Sequence, residues 1–192
     1  MLGTMIRKQF GPRLPSTRVL DVGCGRGDWL AWLQSLGVSD ANLYGVDLLA
    51  DRIAAAKQAH PTFAFAQGNA EQFDGADASF DLIVCSTLFS SILDEGMAAR
   101  VARNITRLLA PAGAIVWYDF RYRNPGNPHT LPMTRPHIQA LFADFVLDLH
   151  SVTLVPPLAR RLGPATPVLY PLLAAMPPLR SHLAGLMYRP TG

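Results

Sequence analysis

The segment VLDVGCGRGDWL at residues 19–30 constrains the fold more than any other part of the sequence. An apolar run ends in a turn that has glycine at positions 23, 25 and 27, and a helical pattern follows directly. Glycine tolerates positive φ and lets the backbone come close to a ligand. In an open parallel sheet, ligands bind beyond the carboxyl ends of the strands, where this turn lies. The segment therefore predicts a strand, a ligand-binding turn and a helix.

The rest of the chain continues the alternation of short apolar runs and amphipathic segments. The strands are predicted at residues 18–22, 42–47, 62–67, 80–86, 113–120, 145–155 and 182–190. The helices are predicted at residues 27–37, 49–60, 95–111 and 133–144. Strands that alternate with helices imply a parallel sheet with right-handed crossovers. We therefore predict an α/β fold.

With 192 residues, the chain has the length of one domain with a sizeable core. We expect a single domain over 1–192, with a short N-terminal extension at 1–18 and an insertion at 155–181. The insertion is rich in proline, and half of the sixteen prolines lie after residue 150. A long segment of this kind is typical of a lid, a binding surface or a poorly ordered insert.

The residues around the glycine turn indicate the kind of ligand. Asp47 ends the second predicted strand, where a carboxylate usually accepts hydrogen bonds from ribose hydroxyls. A dinucleotide site would have glycine at position 28, but this chain has Asp28, which would repel a pyrophosphate. Asp21 and Asp28 instead suit a nucleoside that carries an amino or sulfonium group. An NAD-dependent oxidoreductase is therefore a weaker alternative.

Five stretches resemble, in order, the successive motifs of the class I S-adenosylmethionine-dependent methyltransferases. They are VLDVGCGRG, YGVDL, GNAEQF, FDLIVCSTLFSSI and LLAPAGAIVWYDF. The resemblance implies a three-layer Rossmann-like sandwich whose seven-stranded sheet is mostly parallel, with an antiparallel last strand that follows the proline-rich insertion. Members usually carry N-terminal helices that help to cover the cofactor, and only about 18 residues precede VLDVG here.

The resemblance also implies the cofactor, S-adenosylmethionine, which leaves as S-adenosylhomocysteine. It assigns the glycine loop, the ribose and adenine contacts and the loop beneath the methyl group to the following residues: Asp21, Gly23, Cys24, Gly25, Gly27, Asp47, Leu48, Asn69, Ala70, Glu71, Cys85 and Ser86. The stretches FSSILDE, WYDFRYRNPGNP and TLVPPLARRL are similar to a small-molecule subgroup associated with glycan or secondary-metabolite pathways. O-methylation of such a molecule, or of a lipid-linked acceptor, is the predicted function. An N- or C-methyltransferase and a non-catalytic binding module are the alternatives.

Candidate residues for the reaction follow the fourth and fifth strands. Asp119 is predicted as a base or acceptor-orienting group, with Tyr118 beside it, but Asp119 would equally cap a turn. The predicted substrate contacts are Phe89, Ser90, Arg121 and His129. Arg121 would hold an anionic acceptor or merely add surface charge, and a lone histidine in a loop is more often structural. His60, His150 and His182 show no local partner in the sequence.

The charge pattern and the cysteines bear on partners and location. Residues 1–18 and the residues after Asp148 contain arginine but no acid, which suits an anionic partner or a solvated surface equally. The two cysteines lie far apart in the sequence and no signal peptide is evident, so we predict a cytoplasmic protein. The sequence has no aspartate cluster after the fourth strand of the kind that binds magnesium, so no metal is expected. Because CSTL replaces an NPPY-type segment after strand four, no nucleic-acid substrate is expected. The apolar, acid-free tail would form a lid, a homodimer contact or a membrane contact.

Overall fold

The computed structural model describes residues 1–123, 127, 129–155, 169, 172–173 and 175–190. Its strands are β1 (Val19–Val22), β2 (Leu43–Asp47), β3 (Ala64–Gln67), β4 (Phe80–Ser86), β5 (Leu109–Phe120), β6 (Val146–Leu154) and β7 (Arg180–Tyr188). They form one seven-stranded sheet in the order β3-β2-β1-β4-β5-β7-β6. The strands from β1 to β5 pair in parallel, and β7 lies antiparallel between β5 and β6. The predicted α/β fold with an antiparallel last strand is confirmed.

Helices cover both faces of the sheet. They are α1 (Leu2–Phe10), α2 (Asp28–Leu36), α3 (Ala50–Ala59), α4 (Glu95–Leu108) and α5 (Arg135–Leu141). The buried side chains of α1, α2 and α3 pack on one face of the sheet, together with Val84 and Val116. The buried side chains of α4 and α5 pack on the other face, around Trp117. This arrangement is the predicted three-layer sandwich.

The boundary between α4 and β5 differs from the prediction. The helix ends at Leu108 instead of continuing to residue 111, and β5 begins at Leu109. Leu109 pairs with Phe80, and the register of the two strands then shifts before Ala114 pairs with Leu82. Such an irregularity accommodates Pro111, which cannot donate a hydrogen bond to a regular ladder.

The N-terminal extension contributes to the core. It forms α1 and a 3₁₀ helix at Gly11–Ser16, and it buries Ile6, Phe10 and Leu14. Ile6 and Phe10 lie four residues apart on one face of α1, and Leu14 adds to the same core from the 3₁₀ helix. The predicted insertion at 155–181 lies largely outside the described residues, so its role as a lid stays a prediction.

Candidate functional site

The glycine turn adopts a backbone that glycine alone accepts easily. Gly23, Gly25 and Gly27 all have positive φ, at 74°, 55° and 85°. The N–H groups of Gly23 and Cys24 both donate to the carbonyl of Val46, at 2.8 and 3.0 Å. A side chain at position 27 would also collide with Phe65, whose ring lies 2.9 Å from the Cβ site. The turn is thus fixed against the carboxyl end of β2.

Asp47 connects this turn to the end of β2. Its Oδ2 accepts from the N–H of Gly25 at 2.9 Å, and its Oδ1 accepts from the N–H of Leu49 at 3.0 Å. The Arg52 guanidinium lies 3.7 Å from Oδ2. The carboxylate is buried among these donors, yet it also lines a cavity. It is therefore held in place and can accept further hydrogen bonds from a ligand.

A cavity of about 340 Å³ opens beside Asp47 at the carboxyl edge of the sheet, and we call it the cofactor cavity. Six of the predicted cofactor-binding residues line it: Gly23, Asp47, Leu48, Asn69, Ala70 and Ser86. Several other lining residues are not evident as cofactor contacts from the sequence, among them Arg52, Leu88, Ile92, Met97 and Val101. Ile92, Met97 and Val101 come from the turn before α4 and from α4 itself, and only the fold brings them to the cavity. Leu48 is 61% exposed, which leaves an apolar side chain free to cover a flat ligand.

The remaining predicted cofactor residues lie outside the cavity wall. Cys24, Gly25 and Gly27 shape the turn from behind, while Cys85 is buried in β4. Glu71 forms an ion pair with Arg100, and its N–H donates to Asn69 Oδ1 at 2.9 Å. Glu71 therefore acts on the cavity by holding Asn69, because it does not line the wall itself.

Asp21 is the most unusual ionisable group near the turn. Its side chain is buried, and its Oδ2 has no hydrogen-bond partner among the residues that the structure describes. Burial raises the pKa of Asp21 to about 8, and the charges of Asp47 and Asp28 add to the rise. An unsatisfied buried carboxyl among other acids favours a cationic ligand, since a nearby cation would stabilise its charged form. S-adenosylmethionine carries an ammonium and a sulfonium, so these residues fit it.

The turn after β4 has some side chains in the wall of the cofactor cavity and others in the core. Thr87 has a positive φ of 49°, and its N–H donates to the carbonyl of Tyr118 at 2.7 Å. Leu88 and Ser91 line the cofactor cavity, whereas Phe89 and Ser90 point inward and are fully buried. Phe89 stacks on Trp117 with a ring-centroid separation of 5.2 Å. In this structure neither Phe89 nor Ser90 is open to a substrate, which differs from their predicted role.

Asp119 stabilises the same turn. Its Oδ2 accepts from the N–H of Ser90 at 3.0 Å, and its Oδ1 accepts from the N–H of Phe120 at 2.8 Å. The side chain is buried, and burial raises its pKa although these hydrogen bonds oppose the rise. This placement supports the turn-capping alternative for Asp119, and its role as a base stays a prediction.

Tyr118 belongs to a partly buried cluster that the sequence did not indicate. Its ring stacks on His182 with centroids 4.6 Å apart, and its hydroxyl lies 3.0 Å from Thr153 Oγ1. Ser181 Oγ donates to the carbonyl of Thr153 at 3.1 Å and lies 2.8 Å from His182 Nδ1. His182 therefore has partners, contrary to the sequence expectation. So do His60, which stacks on Phe63, and His150, whose Nε2 lies 3.1 Å from an Asp148 carboxylate oxygen.

The other two predicted substrate residues lie farther from the cofactor cavity. Arg121 follows β5 and lines a separate cavity with Arg135. His129 is exposed, and its backbone N–H donates to Asn127 Oδ1 at 3.0 Å. Neither residue lines the cofactor cavity.

Both cysteines are buried, and burial raises their pKa values, that of Cys24 to about 12 and that of Cys85 well above its usual range. Neither thiol is therefore ionised at neutral pH. Within the described residues, no group of three or more His, Cys, Asp or Glu side chains is arranged to hold a metal ion. No helix in the described part of the chain is long and apolar enough to cross a membrane.

Comparison with known proteins identifies one matching family and two relatives that align with part of the chain. Residues 19–113 match the family described as "Methyltransferase domain". Ribosomal RNA small subunit methyltransferase C from Chromohalobacter salexigens is 38% identical over 104 residues, which are 52% of this chain and 30% of that protein. Demethylmenaquinone methyltransferase from Bacillus mycoides is 27% identical over 107 residues, which are 53% of this chain and 44% of that protein. The match therefore spans less than half the length of each relative.

The fold of the whole chain also has solved counterparts. An S-adenosylmethionine-dependent methyltransferase from Mesorhizobium loti superposes with a TM-score of 0.68 and 19% sequence identity, covering 96% of this chain and 95% of that one. The likeness in fold extends beyond the matched domain to β6 and β7, since nearly the entire chain is covered. The domain match, the sheet order and the glycine turn agree, and the chain belongs to the class I S-adenosylmethionine-dependent methyltransferases, with S-adenosylmethionine as its cofactor.

Proposed function

We propose that this chain methylates an oxygen atom of a small molecule, of the secondary-metabolite, glycan or lipid-linked kind. When bound, S-adenosylmethionine supplies a methyl group that is already activated for direct displacement, so positioning and exclusion of water provide much of the rate. The observation that carries the proposal is the cofactor cavity, where the exposed Gly23 backbone meets the Asp47 carboxylate. These groups would hold the nucleoside, with Leu48 across the adenine.

An oxygen acceptor usually requires a base to take its proton. His182 is the candidate for this task. Burial lowers its pKa to about 4, which keeps the imidazole unprotonated at physiological pH but also makes it a weak base, so it favours acceptors with an acidic hydroxyl, such as phenols. The Ser181 hydroxyl donates its proton to the carbonyl of Thr153. Its oxygen can then only accept from His182, so we place the imidazole proton on Nδ1, which donates to Ser181 Oγ. That tautomer leaves a lone pair on Nε2, and Nε2 has no hydrogen-bond partner among the described residues.

The position of His182 also suits a base. Its ring lies between Tyr118 and Phe120, at 4.6 and 4.2 Å between centroids, near the carboxyl end of β5. The backbone of Tyr118 contacts Thr87 in the wall of the cofactor cavity. His182 is buried and does not line the cofactor cavity, so an acceptor hydroxyl must enter beside Tyr118 before it passes its proton to Nε2 as the oxygen attacks the methyl group.

The first experiment separates the alternatives by binding and turnover. Calorimetry should show binding of S-adenosylhomocysteine and none of NAD; the reverse result would favour an oxidoreductase. Release of S-adenosylhomocysteine from S-adenosylmethionine should then be measured with phenols, hydroxy acids, sugars and amines. Ribosomal RNA and demethylmenaquinone belong in the same panel because the two relatives are named for them. Turnover with amines or RNA alone would contradict the proposal, and binding without any turnover would favour an interaction module.

The second experiment tests the base. His182→Gln should lower kcat by about a hundredfold or more, while the affinity for S-adenosylhomocysteine stays the same. His150→Gln is the matched control, since His150 is exposed on the neighbouring strand β6 and pairs with Asp148. Because the pKa of His182 is about 4, the rate should show no limb near pH 6.5 and should fall only toward pH 4. An equal loss in both variants, or a limb near pH 6.5, would refute the assignment.

A further inference from the structure

A second cavity lies on the α5 side of the sheet, where β5 ends, and we call it the arginine cavity. Its volume is about 340 Å³. It is lined by Arg121, Tyr122, Thr134, Arg135, Ser151 and Leu183, none of which lines the cofactor cavity. The two cavities are therefore separate sites within the described structure.

Both lining arginines are held in place by neutral groups. Arg121 donates to the carbonyl of Pro177 at 3.3 Å, and its guanidinium lies 4.6 Å from the centre of the Tyr122 ring. Arg135 donates to the carbonyls of Leu147 and Leu149. Backbone carbonyls and an aromatic face orient a guanidinium without cancelling its charge. The cavity therefore presents two oriented positive charges.

No carboxylate of the described residues balances them. Within the described residues, the arginines in ion pairs are Arg52, Arg100 and Arg107, and neither lining arginine has a carboxylate within ion-pair distance. The sequence contains no aspartate or glutamate after Asp148, and residues 124–128 contain none either. The segments that the structure does not describe therefore contain no aspartate or glutamate that could pair with these arginines. An uncompensated pair of guanidinium groups favours an anion from outside the chain.

Two hydroxyls add hydrogen-bond donors to the cavity. Ser151 Oγ accepts from Arg180 at 3.4 Å, and Thr134 Oγ1 accepts from the N–H of His137 at 3.4 Å. Each hydroxyl therefore keeps its own proton for another acceptor. Two guanidinium groups with two hydroxyls match a group with several oxygen acceptors and negative charge, as a phosphate has.

We propose that the arginine cavity binds the phosphate group of a small molecule, either a soluble phosphate ester or a lipid headgroup. The site does not depend on methyl transfer, because its residues and its test are independent of the cofactor cavity. Arg121 is predicted from the sequence to hold an anionic acceptor. In this proposal it binds the phosphate together with Arg135.

The test measures binding of inorganic pyrophosphate by calorimetry. We expect saturable binding to the unmodified chain, weakened about tenfold or more in Arg121→Gln, because a charge-assisted contact is lost. Arg123→Gln is the matched control: it removes the same charge two residues away from an exposed position that does not line the cavity. Arg121→Lys should recover part of the affinity, since it restores the charge without the planar fork.

Binding of S-adenosylhomocysteine by Arg121→Gln serves as the folding control and should be unchanged. Absence of saturable pyrophosphate binding, or equal losses in Arg121→Gln and Arg123→Gln, would overturn the proposal in favour of diffuse surface charge. Vesicles of phosphatidylcholine with and without phosphatidic acid identify the source of the phosphate. Binding to phosphatidic acid that requires Arg121 would support a lipid headgroup, whereas pyrophosphate binding without vesicle binding would support a soluble ester.

Discussion

Replacement of Asp47 by alanine tests the cofactor site most directly. The carboxylate accepts two backbone hydrogen bonds, from Gly25 at 2.9 Å and from Leu49 at 3.0 Å, and it faces the cofactor cavity. A charge-assisted hydrogen bond to a ligand contributes about 1.5–3 kcal/mol. Its loss should therefore weaken S-adenosylhomocysteine binding by roughly tenfold to a hundredfold. The two orphaned N–H groups should also lower the free energy of unfolding by about 1–3 kcal/mol.

The assay must separate these two effects. Affinity is measured by calorimetry well below the unfolding transition, and stability is measured separately by urea denaturation. Asp51→Ala is the matched control, because Asp51 is an exposed acid in the first turn of α3 that does not line the cavity. If Asp47→Ala binds S-adenosylhomocysteine within twofold of the unmodified chain, or if Asp51→Ala loses as much affinity, the role assigned to Asp47 is refuted.

Three further predictions concern Asp21 in β1, Gly185 in β7 and Gly3 in α1. Because burial raises the pKa of Asp21 to about 8, the folded chain binds one proton more than the unfolded chain between pH 4 and 8. Its stability should then fall as pH rises through this window, by up to about 1.4 kcal/mol per unit, and Asp21→Asn should flatten the urea-midpoint profile; an unchanged profile would contradict this. Gly185→Ala should cost at least about 2 kcal/mol in urea denaturation, because its Cβ would overlap the backbone carbonyl of Asp148. Gly3→Ala, where the nearest atom is 3.4 Å away within a helix, should be neutral or stabilising by up to about 1 kcal/mol, and destabilisation there would count against the reasoning.

The candidate cofactor site at the carboxyl edge of the sheet could be predicted from the sequence, because the residues that shape it lie within short segments of the chain. The turn needs three glycines within five residues, and each of them has positive φ in the structure. Asp47 ends a strand whose apolar pattern is plain in LYGVD, and Gly25 is its partner in the turn. Parallel strands bring their carboxyl ends to one edge, so the order of elements alone puts the two features together.

The proposed base and its surroundings could not be predicted from the sequence, because they depend on pairing between distant strands. His182 meets Tyr118 only because β7 inserts beside β5, and Thr153 joins them from β6. Likewise, Phe89 and Asp119 look available in the sequence, because Phe89 follows β4 and Asp119 lies at the carboxyl end of β5. In the structure, the turn after β4 is folded over Asp119, so both side chains are buried. Position after a strand indicates the edge of the sheet, but burial decides which side chains face a ligand.

The antiparallel strand β7 also explains why the two candidate acceptor features are distinct. Adjacent residues of a strand point to opposite faces of the sheet. His182 lies with Tyr118 and Phe120 on one face, whereas Leu183 lines the arginine cavity on the other. A ligand that contacts both must therefore pass around the carboxyl edge of the sheet. An acceptor with its phosphate in the arginine cavity and its hydroxyl at His182 would have to be long. A compact phosphate ester could therefore not occupy both sites at once.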